Sequence, residues 1–273
     1  MATSPTLERS VSPLQGSASQ ARKPSRLGRI PLLCIVFGVG LATFVGTDRA
    51  WILLVLTAAM GLGADGILRS HPRADFHTIA DTAPYLFVPV LFTMSAGLFL
   101  EDVILGYWQI PAVAGASVLM GAALYAEHVS IEPEHPTFPL ARFILNVVTY
   151  LTAFGFYAVV YGFDVDLVPA AFTVGMVSML LSIEVFREAE ADPIRALVFA
   201  AVIGVILGEA RWVLYFIPLE GFLAGVFLLL IFYLTTGVIS HYLTEHLDRT
   251  VLMEFALVTA VGLAIVVGGR VLA

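Results

Sequence analysis

Hydrophobic residues along this chain neither alternate nor recur at every third or fourth position. They run on for most of a bilayer's thickness and break only at short polar turns. The runs cover approximately 30–47, 50–68, 83–100, 104–126, 139–162, 166–187, 194–216, 219–243 and 251–271. A hydrocarbon core about 30 Å thick needs about 20 residues at 1.5 Å each, so each run predicts a transmembrane helix. The expected fold is all-α: a polytopic bundle of about nine transmembrane helices in one domain, residues 30–273. Two turns are very tight, Thr47-Asp48-Arg49 and Ile217-Pro218-Leu219-Glu220. Either hairpin could instead be re-entrant, which would leave seven spans.

Composition excludes the soluble alternatives. With 59% hydrophobic and 13% charged residues, the chain has too little polar sequence to coat a water-facing surface. The net charge of −7 is spread through turns and helix ends, and no basic stripe with interleaved aromatics suggests nucleic acid. The single cysteine, Cys34, rules out an intrachain disulfide and a multi-cysteine metal site. Residues 1–29 are rich in Ser, Pro, Ala and Gln and end in Arg22, Lys23, Arg26 and Arg29. They read as a disordered basic cytoplasmic tail rather than a signal peptide, because the polar lead and the following apolar run are both too long.

Charge orients the bundle. With the N-terminus inside, the inner segments hold Arg9, Arg22, Lys23, Arg26, Arg29, Arg69, Arg73, Arg142, Arg187, Arg195 and Arg249, and the outer ones only Arg49 and Arg270. Positive residues are retained on the cytoplasmic side. The expectation is a multi-pass protein of the plasma membrane, the inner membrane of a bacterial cell, with a cytoplasmic N-terminus and the C-terminus outside. Similar punctuation recurs: Ile30-Pro31-Leu32 and Phe138-Pro139-Leu140 open helices 1 and 5, Asp65/Arg69 and Glu184/Arg187 close helices 2 and 6, and Tyr125-Ala126-Glu127-His128 and Tyr242-Leu243-Thr244-Glu245-His246 close helices 4 and 8. These matches suggest a 4+4 parallel repeat plus one helix.

Polar residues inside the runs are the candidates for chemistry. Glu209 and Arg211 lie deep in helix 7, where an ionisable group costs a few kcal/mol unless it is paired or wet. Two residues apart, they point to different sides of the helix. Arg211 can snorkel outward beside Trp212 and Tyr215, while Glu209 has no such escape and is expected to face another helix. Gly204 and Gly208 on helix 7, with Gly221 and Gly225 on helix 8, have small-xxx-small spacing and predict a close hairpin that presents Glu209 to a third helix. Asp65 with Arg69, and Glu184 with Arg187, have i,i+4 and i,i+3 spacings that permit pairing, or the two acids could face one cytoplasmic vestibule. All six histidines, His71, His77, His128, His135, His241 and His246, fall on the inner side without metal-ligand spacing.

Three segments resemble an uncharacterised family of bacterial multi-spanning membrane proteins, a domain of unknown function. They are Asp65-Gly66-Ile67-Leu68-Arg69-Ser70-His71-Pro72, Gly208-Glu209-Ala210-Arg211-Trp212 with Tyr215 and Pro218, and Phe232-Tyr233 with Glu254. The resemblance covers roughly residues 30–270 and implies a shared membrane fold but no activity. Three readings follow. The first is a protein that binds or transports a small molecule, ion or proton at a polar site between helices. The second is a membrane enzyme acting on a lipid or isoprenoid at the cytoplasmic face, disfavoured because the chain has no Asp-rich diphosphate motif and no nucleophile arrangement. The third is a non-catalytic subunit or assembly factor of a membrane complex. No cofactor or metal is expected; the partners expected are membrane lipids, a small-molecule or ion ligand, and another membrane protein.

Overall fold

The computed structural model describes residues 29–47, 49–74, 76–104, 106–163, 165–189, 192–217, 219, 221–244 and 249–272. The expected tail before Arg29 lies outside the described residues, as do Pro218, Glu220, Glu245 and His246. The described residues form helices α1 (Arg29–Thr47), α2 (Ala50–Leu68), α3 (Ile79–Asp102), α4 (Gln109–Ser130), α5 (Phe138–Gly162), α6 (Leu167–Ala189), α7 (Pro193–Leu214), α8 (Gly221–Leu243) and α9 (Arg249–Leu272). A 3-10 turn at Gly106–Trp108 leads into α4, entered through Gly106 at a positive φ of 69°.

Helices α1 to α8 are each long and apolar enough to cross a membrane, and α9 contains a shorter apolar stretch, Met253–Gly269. The chain is therefore a multi-spanning helical membrane protein. Both tight hairpins are full-length: α1 and α2 have 19 residues each, about 28 Å at 1.5 Å per residue, and α7 and α8 have 22 and 23. Outward-facing side chains such as Leu62, Val118, Phe172 and Val205 are apolar and exposed, as a lipid-solvated surface requires. All three tryptophans, Trp51, Trp108 and Trp212, are exposed near the same end of the bundle, where they form one aromatic belt. The opposite end carries Arg69, Arg73, Arg142, Arg187 and Arg195 and is called here the basic end.

Local chemistry sets the boundaries that hydropathy misses. Helix α3 begins four residues before its apolar run because the Asp81 carboxylate accepts hydrogen bonds from the backbone N–H groups of His77 (3.0 Å) and Thr78 (2.8 Å), satisfying donors at the helix start. Asp192 does the same for α7, accepting from the Ile194 N–H at 3.0 Å with Pro193 at the first helical position.

The packing order has an internal echo. In the first four helices α1 packs on α2 and α4, α2 on α3, and α3 on α4; in the next four α5 packs on α6 and α8, α6 on α7, and α7 on α8. The quartets join where α5 packs against α3 and α4 and α6 packs against α3, and α9 packs on α8.

The glycine faces depart from expectation. Gly204 and Gly208 of α7 do not meet Gly221 and Gly225 of α8. A Cβ on Gly204 would lie 2.7 Å from the Gly175 carbonyl oxygen, and one on Gly208 would lie 3.2 Å from that of Ala171, both on α6. Gly221 and Gly225 instead approach Ala158 and Gly162 of α5. Each small-residue stripe thus fits a different neighbour, because the stripes lie on faces of α7 and α8 that do not oppose one another.

Candidate functional site

Near the basic end, α4, α5 and α6 bring four charged side chains into one buried chain, with an aromatic ring from α3 over it. Arg142 of α5 donates from Nη1 to Glu184 Oε1 (2.9 Å) and from Nη2 to the Glu184 carbonyl oxygen (3.2 Å). Arg187, one turn beyond Glu184 on α6, places Nη1 2.7 Å from Glu184 Oε2. Its Nη2 donates to Glu127 Oε2 (3.0 Å) and to Ser130 Oγ (2.9 Å) on α4. The Tyr85 ring of α3 covers the Arg187 guanidinium at 4.0 Å from its centroid. The order Arg142, Glu184, Arg187, Glu127 alternates in sign and sums to zero, which is what allows it to be buried: Glu184 is 1% exposed and Glu127 2%.

The members are not equivalently held. Glu184 meets two guanidinium groups, one on each carboxylate oxygen. Glu127 meets one, through Oε2, and among the described residues its buried Oε1 has neither a hydrogen bond nor an ion pair, whereas Glu184 Oε2, also without a hydrogen bond, has Arg187 Nη1 2.7 Å away as an ion-pair partner. Guanidinium groups stay protonated, so the two glutamates are the titratable members of the chain.

Two of the four residues were singled out by spacing, and Glu184 and Arg187 do pair. The other two were not. Both nevertheless sit on buried stripes at helical spacing: Glu127 follows Met120, Ala123 and Leu124 on α4, and Arg142 precedes Leu145, Val148 and Thr149 on α5. A charged residue in register with a buried stripe is the signal that would have found them.

Asp65 and Arg69 also pair, at 2.8 Å from Arg69 Nε to Asp65 Oδ2, but with side chains still 26% and 33% exposed. Thr82 of α3 donates to Asp65 Oδ1 at 2.8 Å, and Arg69 Nη2 donates to the Thr78 carbonyl oxygen at 3.1 Å. The two acids Asp65 and Glu184 thus do not share an open vestibule; one is half-buried against α3, the other sealed among α4, α5 and α6. Arg69→Gln should lower stability by only about 1 kcal/mol or less, as for a part-exposed pair, seen as a small shift in thermal unfolding of the detergent-solubilised protein.

Beside these groups the loop after α2 packs on α4. His71 lies edge-on to His128 with centroids 4.6 Å apart, and Arg73 pairs with Glu132 at 2.6 Å. Burial holds His71 below the ordinary imidazole value; Glu132 opposes that shift, while Arg73 and His135 add to it.

At the opposite end the expectation for helix 7 is reversed. Arg211 does not snorkel: it is 4% exposed, with its guanidinium 4.9 Å from the centroid of the Tyr161 ring on α5. The Tyr161 hydroxyl in turn donates to the Ile217 carbonyl oxygen at 2.9 Å, tying down the chain after α7. Glu209, expected to face a third helix, is exposed on the outer surface. The close fit of Gly204 against α6 causes both outcomes, since it turns Ala200, Gly204, Leu207 and Arg211 inward and leaves Glu209 outside. A recess of about 500 Å³ lined by Val103, Ile104, Trp108, Pro111 and Ala112 also lies at this end, with no ionisable side chain among those five residues.

Comparison with known proteins adds one finding. A family described as "Protein of unknown function (DUF5656)" matches residues 30–268, the helical domain without the N-terminal tail. No curated protein and no solved structure matches the chain.

Proposed function

Since the chain belongs to this family of unknown function, its activity must be read from its own side chains, and we propose that it binds a proton or small cation at Glu127 and moves it across the membrane. The observation that carries this reading is the buried Glu127 carboxylate, held by one arginine through one oxygen while the other oxygen has no partner among the described residues. An acid this thoroughly buried in protein and only half satisfied is an unusual structural choice, and such groups mark ion and proton sites in membrane proteins. Glu184, gripped by two arginines, serves to hold Arg142 and Arg187 in place rather than to exchange protons. The basic end faces the cytoplasm in this reading, by the retention of arginine on that side, with the C-terminus outside and the plasma membrane as its location.

The lipid-directed enzyme reading receives less support. It needs Asp65, Glu184 and the histidines to converge on an inner surface, whereas Glu184 is sealed among helices. The test is ion flux. Purified protein in liposomes should dissipate an imposed pH, Na⁺ or K⁺ gradient, and Glu127→Gln should reduce that flux at least tenfold while leaving the protein folded. Parent-level flux in Glu127→Gln, or no flux from the folded parent with any of the three gradients, would make the ionic chain a purely structural device.

A further inference from the structure

Glu209 lies five residues before the end of α7, about 7.5 Å along the axis at 1.5 Å per residue. Trp212 and Phe216, both exposed, mark the headgroup boundary just beyond it. The side chain cannot retreat to that boundary easily, because the Cα–Cβ bond of a helical residue tilts toward the helix N-terminus, here the far side of the membrane. Among the described residues nothing pairs with it. A carboxyl group in this position faces hydrocarbon unless something covers it, and ionisable residues in transmembrane helices almost always face protein or water.

The surrounding face indicates what covers it. Val198, Val202, Val205, Glu209 and Trp212 are all exposed and follow a four, three, four, three spacing along α7. That is the seam of a left-handed helix pair, and one polar residue within such a seam fixes register and oligomeric state. We propose that this face of α7 is covered by α7 of a second copy of the chain, with the two Glu209 carboxyl groups hydrogen-bonded to each other across a two-fold axis along the membrane normal. Such an axis places every residue opposite itself at the same depth, so the contact is isologous and closes as a dimer. A carboxyl is self-complementary in this setting: protonated it donates, and either form accepts. Hydrogen bonds of this kind between transmembrane helices act as the glue that apolar packing in lipid does not supply.

The experiment uses the full chain in lipid nanodiscs. With Cys34 replaced by alanine, Glu209→Cys should give a disulfide-linked dimer under mild oxidation. Leu207→Cys, at a fully buried position, and Val118→Cys, exposed on α4 and so reporting random collision, should not. By native mass, the parent and Glu209→Gln should be dimers, since an amide also donates and accepts, and Glu209→Leu should be monomeric with a thermal midpoint no lower than the parent's. A parent that is monomeric in nanodiscs, a dimer that persists in Glu209→Leu, or cross-linking at 118 equal to that at 209 would each overturn the proposal and leave lipid or another membrane protein on this face.

Discussion

Glu184→Leu should destabilise the protein by about 3–5 kcal/mol, the range for removing one member of a buried ion pair, and should remove most of the monodisperse material from a detergent extract. The loss arises less from the missing attraction than from what remains. Arg142, with its side chain 6% exposed, would keep a permanent charge with the Glu184 carboxylate gone, and Arg187 would keep Glu127, the Ser130 hydroxyl and the face of Tyr85. The companion change Arg142→Met is expected to be milder, because Glu184 retains Arg187 at 2.7 Å. The double variant with both changes should recover part of the stability lost in Glu184→Leu, since it buries no unpaired charge between α5 and α6. Thermal unfolding of the three variants tests this ordering, and a double variant worse than Glu184→Leu would show that Arg142 has a stronger anchor than Glu184.

Gly204→Val is the second substitution expected to be severe. The neighbour that its Cβ would meet at 2.7 Å is the Gly175 carbonyl oxygen, with Met179 Cβ at 3.0 Å. No rotamer change clears a backbone atom, so α6 and α7 must separate. Overpacking of this kind costs about 1–3 kcal/mol, with the upper end expected where backbone blocks backbone. Parting the two helices also loosens α6, the helix that carries Glu184 and Arg187. Gly115→Ala is the matched control: nothing lies within 4 Å of its added Cβ, and alanine is the better helix former by about 1 kcal/mol. The control should unfold at or above the parent's midpoint in the same assay, and equal loss in both variants would show that glycine matters here for flexibility rather than for close approach.

The helices were legible because a hydrocarbon-spanning run needs no partner to be recognised; its length and apolarity are properties of the segment alone. Contacts between helices are not, and there the reading diverged by residue. Glu184 and Arg187 lie on one helix at a spacing that makes them neighbours, so their pairing was accessible. Glu127 and Arg142 join them only because α4, α5 and α6 converge, information that no single helix holds. The reversal at Glu209 and Arg211 is more instructive. The glycines of α7 were correctly taken as a packing face but matched to α8, the next helix in the chain, instead of α6, the preceding one. Matched to α6, the stripe from Ala200 through Gly204 and Leu207 reaches Arg211 and leaves Glu209 outside. The unsupported assumption was which neighbour a stripe of small residues fits.

The alternation of charge around Glu127 has an electrical consequence. Glu127, Glu184, Arg187 and Arg142 lie within about 3–8 Å of their helix ends, counting 1.5 Å per residue from the basic end. The group is neutral and shallow, so the transmembrane voltage does little work on it as a body. Carrying one elementary charge across the whole membrane against 100 mV requires about 2.3 kcal/mol, but a proton entering from the basic side to reach Glu127 crosses only the fraction of the potential that drops over those few ångströms. Occupancy of Glu127 would then follow the acidity of the adjoining compartment and be nearly indifferent to polarisation, and any voltage dependence of transport would arise in the longer journey toward the tryptophan-bearing end.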